Sequence, residues 1–574
     1  MRGPPRPITR ESAAFPAAEA LRILHSTKSA SSVVALPTAA EQIADRNFQA
    51  NLEALSKTQP RVVEHVREVE AGLEWLFARD GSLTGMESDE DWYGGCSVPL
   101  GAARFMLKTM EAGGSVACFL SPTHAAQLRV ALDMLRRPQA IIAIVPERRK
   151  LRIILQCGDF STDIDAHRLW FASGDEWADE LEWLLKESDG LPTPSQFIRP
   201  ILADATAVDR LIAPAQRVFA AEISRRATVV QSTRENHRPR RNRATTVCVI
   251  APTHFRLWDD AGIMLAATID GGAQGATVLR IDTDDPTSAS PVALARAAAE
   301  CDAIVSADLY RGDVPGVVPD GAPWVTWVTR GRIPGRDTAG PRDALLVADP
   351  RWRSDAIRFG WPDDRVEVAT WPQAPPHAAP AEPMLAVIAD TRPLEPPQRV
   401  TDYSSHRLLW ELIARELWDD PFLLHDEPRK YLDERMKKLA IAEEGFDRRL
   451  FLDAVVVPAY QQGLVRALVS ERFPVQLFGE GWEQVPDLCD HAGGAVSTRQ
   501  TLAEVLARSS AVVHVWPWRH AHPVDACSRP VLRRTGQRRE SFLRDARLAL
   551  TAPHTRQQQR NHLSAERVLS LLRR

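Results

Sequence analysis

The chain reads as an α/β protein in which short buried strands alternate with amphipathic helices over most of its length. Three observations carry that expectation. Apolar runs such as Ala140 to Val145 and Met384 to Ala389 are bounded by turn residues, and segments with apolar residues three and four apart follow them, which is the rhythm of a helix-covered parallel sheet. The length of 574 residues exceeds what one hydrophobic core sustains, so about three or four domains are expected. The composition, 44% apolar and 25% charged, is that of an ordinary globular chain.

Charge and cysteine usage narrow the partners. A net charge of −4 gives no overall attraction to nucleic acid or anionic lipid. The cysteines at 96, 118, 157, 248, 301, 489 and 527 form no CxxC pair, which argues against a disulfide framework or a zinc knuckle and for a reducing, cytoplasmic setting. The basic, Pro-rich start from Met1 to Arg10 is followed by no long apolar run, so no signal peptide is expected. No stretch has the apolar length of a transmembrane helix, which leaves only peripheral contact with a membrane. No metal-ligand constellation stands out. Asp282-Thr283-Asp284 has the spelling of a DxD motif, but Asp285-Pro286 beside it reads as a turn.

Taken in order, residues 1–40 are rich in Ala, Pro and Ser and are expected to be poorly ordered. Residues 41–233 open with a helical pattern from Ile43 to Leu76 and continue into strands at Ser115 to Leu120 and Ala140 to Val145. Further strands are expected at Leu151 to Gln156 and His167 to Phe171, and helices at Ala125 to Leu135 and Glu176 to Lys186. The first strand ends in Ser121-Pro122-Thr123-His124 and the second in Pro146-Glu147. Without glycines for close backbone approach to phosphate, a scaffold role is the expected one. Residues 234–244 form a basic linker with no aromatic residue to stack on bases, so no nucleic-acid partner is expected. A second unit, 245–370, alternates strands at Thr246 to Ala251, Ala276 to Ile281, Ala303 to Ser306, Trp324 to Val328, Ala344 to Ala348 and Val366 to Ala369 with helices. The Pro/Ala-rich stretch 371–383 is a semi-stiff connector. The third unit, 384–574, places strands at Met384 to Ala389, Pro474 to Phe478, Ala511 to Val515 and Pro530 to Leu532.

The most informative segment is 474–536. A strand runs into the turn Phe478-Gly479-Glu480-Gly481-Trp482, where glycines permit positive φ and close approach of N–H groups to a phosphate. A helix near Leu502 to Ala507 follows, with Thr501 and Glu504 spaced as a capping box. After the next strand comes a loop with Arg519, His520, His522 and Asp525, residue types that pair a diphosphate and ribose hydroxyls. Arg529 to Leu532 and Arg533 close the segment. This order resembles the CgeB-like (spore-maturation type) glycosyltransferases of the GT-B class, a bacterial family. The matching elements are Phe478 to Trp482; Leu502, Glu504, Leu506 and Ser509; Ala511 to Val515; Arg519 to His522; Asp525; and Arg529 to Leu532. The resemblance implies a GT-B-like pair of Rossmann-type domains, the donor domain last. It also implies transfer of a sugar from a nucleotide-diphosphate donor to an unidentified acceptor, with no cofactor. Donor-binding residues would be Gly479, Gly481, Trp482, Arg519, His520, His522, Asp525, Arg529 and Arg533.

The chain departs from that pattern at three places. Asp525 stands where Glu is usual, Ser528 where Gly is usual, and Thr329-Arg330 where an acidic residue often follows the strand. The alternative is therefore a non-catalytic relative that keeps the cleft. The region before the pair is a further Rossmann-like α/β domain, with a faint similarity to flagellar motility accessory proteins. On the acceptor side, His254 follows the first strand and is the candidate general base, with a loop histidine bonded to backbone as the plainer reading. Asp313, with Asp308 and Arg311, forms the other candidate cluster, against a surface ion-pair network. Trp516 and Trp518 flank the loop, where a ring stacks on a base or packs in the core.

Overall fold

The computed structural model describes residues 37–87, 91–107, 115–135, 139–199, 205–236, 245–252, 260–272, 276–330, 332–371, 382–401, 403–424, 428–442, 446–517, 529–533, 538–551 and 563–573. The chain divides into two compact units. The first holds Met1–Arg238, Ile281–Glu300 and Gly316–Pro319, and the second Pro239–Arg280, Cys301–Pro315 and Asp320–Arg574. Both are α/β structures built on parallel sheets.

Unit one opens with helices α1 (Pro37–Thr58) and α2 (Pro60–Val66), followed by an antiparallel hairpin of β1 (Glu74–Phe77) and β2 (Leu83–Met86) and helix α3 (Pro99–Leu107). Its main sheet alternates β3 (Val116–Leu120), α4 (Ala125–Met134), β4 (Ala140–Val145), α5 (Arg148–Cys157), β5 (Leu169–Ser173), α6 (Trp177–Glu187) and β6 (Gln196–Ile198). The order β5-β4-β3-β6 is parallel throughout. The strands are buried on both faces, as expected of a sheet with helices above and below.

Two expectations fail here. Leu151 to Gln156 is not a strand but the buried side of α5. Arg148, Arg149 and Arg152 recur along its outer side, so a helix can bury the apolar residues and keep the charges wet. The helical pattern does not extend to Leu76 either: Gly72, at φ +61°, breaks it before β1. Helix α7 (Ala205–Glu235) buries Val208, Leu211, Ala215 and Phe219 at helical spacing. It also buries Glu222, whose carboxylate takes two bonds of 2.7 Å from Arg225 and one of 2.5 Å from Arg226. Helix α9 (Pro291–Glu300) belongs to this unit as well. Ser290 bonds the backbone at Gly190 and Asp189, and Arg296 donates to Asp189 at 2.9 Å.

Unit two contains two sheets. The first comprises β7 (Thr245–Ala251), β8 (Ala276–Asp282), β9 (Ala303–Ala307), β10 (Trp324–Val328), β11 (Ala344–Val347) and β12 (Val366–Val368), in the order β12-β11-β10-β9-β7-β8. Helices α8 (Asp260–Gly272) and α10 (Pro350–Arg358) accompany it. The second sheet comprises β13 (Leu385–Ile388), β14 (Val475–Phe478), β15 (Ala511–His514) and β16 (Val531–Arg533), in the order β14-β13-β15-β16, all parallel. Around it lie α11 (Ser404–Asp419), α12 (Pro428–Lys438), α13 (Val457–Ser470), α14 (Arg499–Arg508) and α15 (Arg539–Thr551). The cap of α14 is Thr498, whose side chain accepts from Thr501 N–H, rather than the Thr501 box expected. The last helix, α16 (Ala565–Arg573), leaves the sheet nearest it in sequence. Leu563, Val568 and Leu571 join the core of the first sheet, beside Val247, Val325 and Leu346.

Candidate active site at the carboxyl edges of the unit-two sheets

In both sheets the first strand has the second on one side and the third on the other. Such a reversal opens a crevice at the carboxyl ends of the strands, where open parallel sheets hold ligands. In the second sheet the reversal separates β13 from β15, so the crevice is flanked by Asp390-Thr391-Arg392 and by Val515-Trp516.

The Phe478-to-Trp482 turn is built against the end of β13, and its glycines have a clear steric cause. Gly479 and Gly481 take φ of +133° and +90°. A Cβ on Gly479 would come within 2.2 Å of Ala389 O, and one on Gly481 within 2.2 Å of Thr391 O. The turn's donors are used inside the protein. Gly479 N–H bonds Gly494 O at 3.0 Å, Glu480 N–H bonds Asp390 Oδ1 at 2.9 Å, and Gly481 N–H reaches Glu483 Oε1 at 3.2 Å. These glycines therefore lock two backbones together, and their N–H groups are not presented to a phosphate. Trp482 is wholly buried, and its indole N–H donates to Ala389 O at 2.6 Å. It supports the turn from beneath and offers no ring face to a ligand.

Two further donor-side candidates separate. Arg529 is buried and donates to Leu506 O at 3.1 Å and Ala507 O at 2.8 Å, satisfying carbonyls at the end of α14. It is a structural cap. Arg533, half-buried at the end of β16, stands opposite His514 in register. It lies within electrostatic reach of Asp349, which follows β11 in the first sheet. Burial pushes the Asp349 carboxyl up, but hydrogen bonds and charge from Arg351, with the Arg533 charge, hold it below the usual range. Asp349 and Arg533, each at the carboxyl end of its own sheet, thus feel one another's charge. Trp516 is partly buried against the second sheet's core. Arg519, His520, His522, Asp525 and Trp518, and His254 on the acceptor side, lie outside the described residues.

The acceptor-side cluster separates into three jobs. Asp313 accepts Tyr310 N–H at 3.0 Å and pairs with Arg332 at 2.6 Å, the partner being largely exposed. Arg311 is buried in a two-pronged pair with Asp343 at 2.8 and 2.9 Å. Asp308 is the one that meets the first sheet's crevice. It ends β9 at φ +52° and accepts from Thr329 N–H at 2.8 Å and Arg330 N–H at 3.1 Å. Burial raises its carboxyl above the usual range despite the opposing Arg330 charge and the Thr329 bonds. A strained, largely buried carboxylate at a sheet reversal is a functional-site signature.

Sequence reading passed over Asp390 and Asp349. Each lies two residues past the end of a strand, and Asp349-Pro350 is a helix-start signature that could have marked it. Gln462 was also overlooked. Its amide reaches from α13 to Thr391 Oγ1 at 3.2 Å and Arg392 O at 2.7 Å, and so holds the β13 loop.

These features define an α/β protein with two open parallel sheets and a crevice at each carboxyl edge. No protein-family model matches the chain, and no curated protein matches it. Among solved structures it is similar to the MAf glycosyltransferase from Magnetospirillum magneticum AMB-1, at 13% identity and a TM-score of 0.24. The match covers 57% of each chain, so it spans little more than half of that protein's length. No helix among the described residues is long and apolar enough to cross a membrane, and they hold no cluster of potential metal ligands.

Proposed function

We propose that the chain is a glycosyltransferase of GT-B type, transferring a sugar from a nucleotide-diphosphate donor, with a CgeB-like donor half. The observation that carries this reading is that unit two holds two open sheets, each with its own strand-order reversal, with Asp349 after a strand of one and Arg533 ending a strand of the other within electrostatic reach. A donor and an acceptor require two facing sites, and each sheet supplies its own reversal. The motif order from Phe478 through Arg533 supports placing the donor on the second sheet, with Arg519, His520, His522, Asp525 and Arg533 toward it. On the acceptor side His254 remains the proposed base; Asp308 replaces Asp313 as the acidic candidate.

The internal bonding of the Gly479 and Gly481 amides, and the burial of Trp482 and Arg529, favour a second reading. In it the chain keeps the cleft and binds a glycan or nucleotide without turnover. A thermal-shift panel of UDP-, GDP- and dTDP-sugars tests the first reading, with transfer and donor hydrolysis assayed on the same protein. Stabilisation by at least one nucleotide sugar, lost in Asp525→Ala and His522→Ala, is expected. No stabilisation at millimolar concentration by any of them would remove the donor site. Stabilisation without turnover would select the second reading.

A further inference from the structure

The segment Ile281–Glu300 is held in unit one, although the strands on either side of it in the chain, β8 and β9, pair within a sheet of unit two. Its attachment to unit one has two parts of different chemistry. The first is at helix α9. Ser290 N–H donates to Gly190 O at 2.8 Å, and Ser290 Oγ to Asp189 O at 2.6 Å. Arg296 straddles the Asp189 carboxylate, with Nη1 2.9 Å from one oxygen and Nη2 2.6 Å from the other. A Cβ on Gly190 would lie 1.7 Å from Thr287 O, so glycine is what lets the two backbones meet. Neither an arginine nor a carboxylate ordinarily titrates near neutral pH, so this part of the attachment does not respond there.

The second part is at the turn before α9. Asp285 caps the short turn Pro286–Ser288, its Oδ1 accepting from Thr287 N–H at 2.9 Å and from Thr287 Oγ1 at 2.8 Å. The same oxygen lies 3.2 Å from Nδ1 of His167. His167 stands two residues before β5 and holds φ +57°, a conformation uncommon for a residue with a Cβ. Trp170 fixes it there. The two rings stack at 5.8 Å, and Trp170 Nε1 donates to His167 O at 2.7 Å. The imidazole is thus set against Asp285 by its own strand. The bond to Asp285, with the Asp285 and Asp165 charges, raises the His167 pKa above its ordinary value, burial opposing this only in part. The other charged groups nearby are of different kinds. Asp165 is 3.8 Å from Lys57 of α1, Arg168 pairs with Asp163 at 2.9 Å, and Asp282 and Asp284 share the turn with Asp285. Histidine is the residue type in this set that ordinarily changes charge between pH 6 and pH 8.

We propose that His167 and Asp285 form a pH-sensitive clasp, which fastens the turn before α9 to unit one when the imidazole is charged and lets it open when the imidazole is neutral, while Ser290 and Arg296 keep α9 in place in both states. A histidine with a raised folded pKa contributes stability that is fully present below its unfolded value, near 6.5, and is lost as pH rises through the folded one. The clasp therefore loosens on the alkaline side. The turn joins β8 to α9, so the clasp sets how much of that connection is ordered. It stands whether or not unit two transfers a sugar.

The test is native-state hydrogen exchange of the full chain at pH 6 and pH 8.5, corrected for intrinsic rates. The reporters are the amides of Thr287, Ser288 and Ala289, which bond to Asp285 Oδ1, Asp285 O and Pro286 O, read against the amides of 294–300 in α9. Protection of the turn relative to α9 should fall about two- to fivefold between the two pH values, the scale of a half-exposed ion pair. His167→Asn places a residue that also tolerates positive φ, and Asp285→Asn keeps a cap acceptor for Thr287. Each should remove the pH dependence and leave the exchange of α9 unchanged. Protection of the turn that does not vary with pH in the parent would overturn the proposal, as would a pH dependence that survives in His167→Asn. A loss spread equally over the turn and α9 would overturn it too, because the whole attachment would then be opening as one.

Discussion

Acidification should destabilise unit one through a single histidine. His124 is buried between the hairpin and the start of α4, and burial lowers its pKa from 6.5 to about 4, the nearby Asp80 charge offsetting only part of this. The folded state thus holds the ring neutral while the unfolded chain protonates it near 6.5. The unfolded state binds more protons between these values, so stability rises with pH through that window and is fully present above it. A displacement of about 2.5 units corresponds to about 3 kcal/mol, all of it lost below pH 4. Between pH 7.5 and pH 5 the same two values give a loss of about 2 kcal/mol. Hydrogen exchange of the amides in β3 and α4, compared at pH 7.5 and pH 5 after correction for intrinsic rates, isolates this from unit two. His124→Asn is the matched variant, since Asn is also a good N-cap acceptor for Ala126 N–H. It should be less stable at neutral pH but lose about 2 kcal/mol less on acidification. Equal losses in parent and variant would show that His124 is not held neutral by burial.

Three other substitutions test the packing that shapes unit two. Gly481→Ala puts a Cβ against Thr391 O at φ +90°; strain alone costs about 1–3 kcal/mol, and a lowered melting temperature for unit two is expected. Arg311→Ala strips the cation from a buried two-pronged pair, leaving the Asp343 charge to the backbone N–H groups of Trp324 and Gly340. Denaturant unfolding should show a loss of about 3–5 kcal/mol, whereas a loss under 1 would mean Asp343 reaches water. Trp482→Phe removes the bond to Ala389 O and part of a wholly buried ring. It should destabilise by about 2 kcal/mol, and a donor affinity change larger than the stability change would return Trp482 to the site.

The alternation of strand and helix was legible because parallel strands buried on both faces must be apolar throughout. Ala140 to Val145, Val247 to Ile250 and Leu385 to Ile388 announce themselves by composition alone. Elements with one wet face were harder. Residues 151–156 are as apolar as a strand, and only Arg148, Arg149 and Arg152, recurring along the outer side, mark the helix. The destination of the last helix was not legible, because the apolar stripe of Val568 and Leu571 fits any sheet and only the fold decides which.

Site residues are hard to read for a different physical reason. Gly479-Glu480-Gly481 has the spelling of a phosphate turn, and the same spelling serves wherever two backbones must touch. Which demand is being met depends on where the N–H groups go, and that is a property of Asp390 and Gly494, distant in sequence. Arg529 teaches the same point: a guanidinium beside a motif is equally a cap for the carbonyls of Leu506 and Ala507. Taking these residues as structural shifts the weight of the proposed donor site onto Arg533 and the loop that precedes Arg529. It also raises Asp308 above Asp313 in the acceptor-side cluster, on a strained backbone and a buried carboxylate that the sequence does not display. If the unit transfers a sugar, its specificity then resides in the loops after the strands, while the glycine turn sets how closely β13 and β14 are held beneath them.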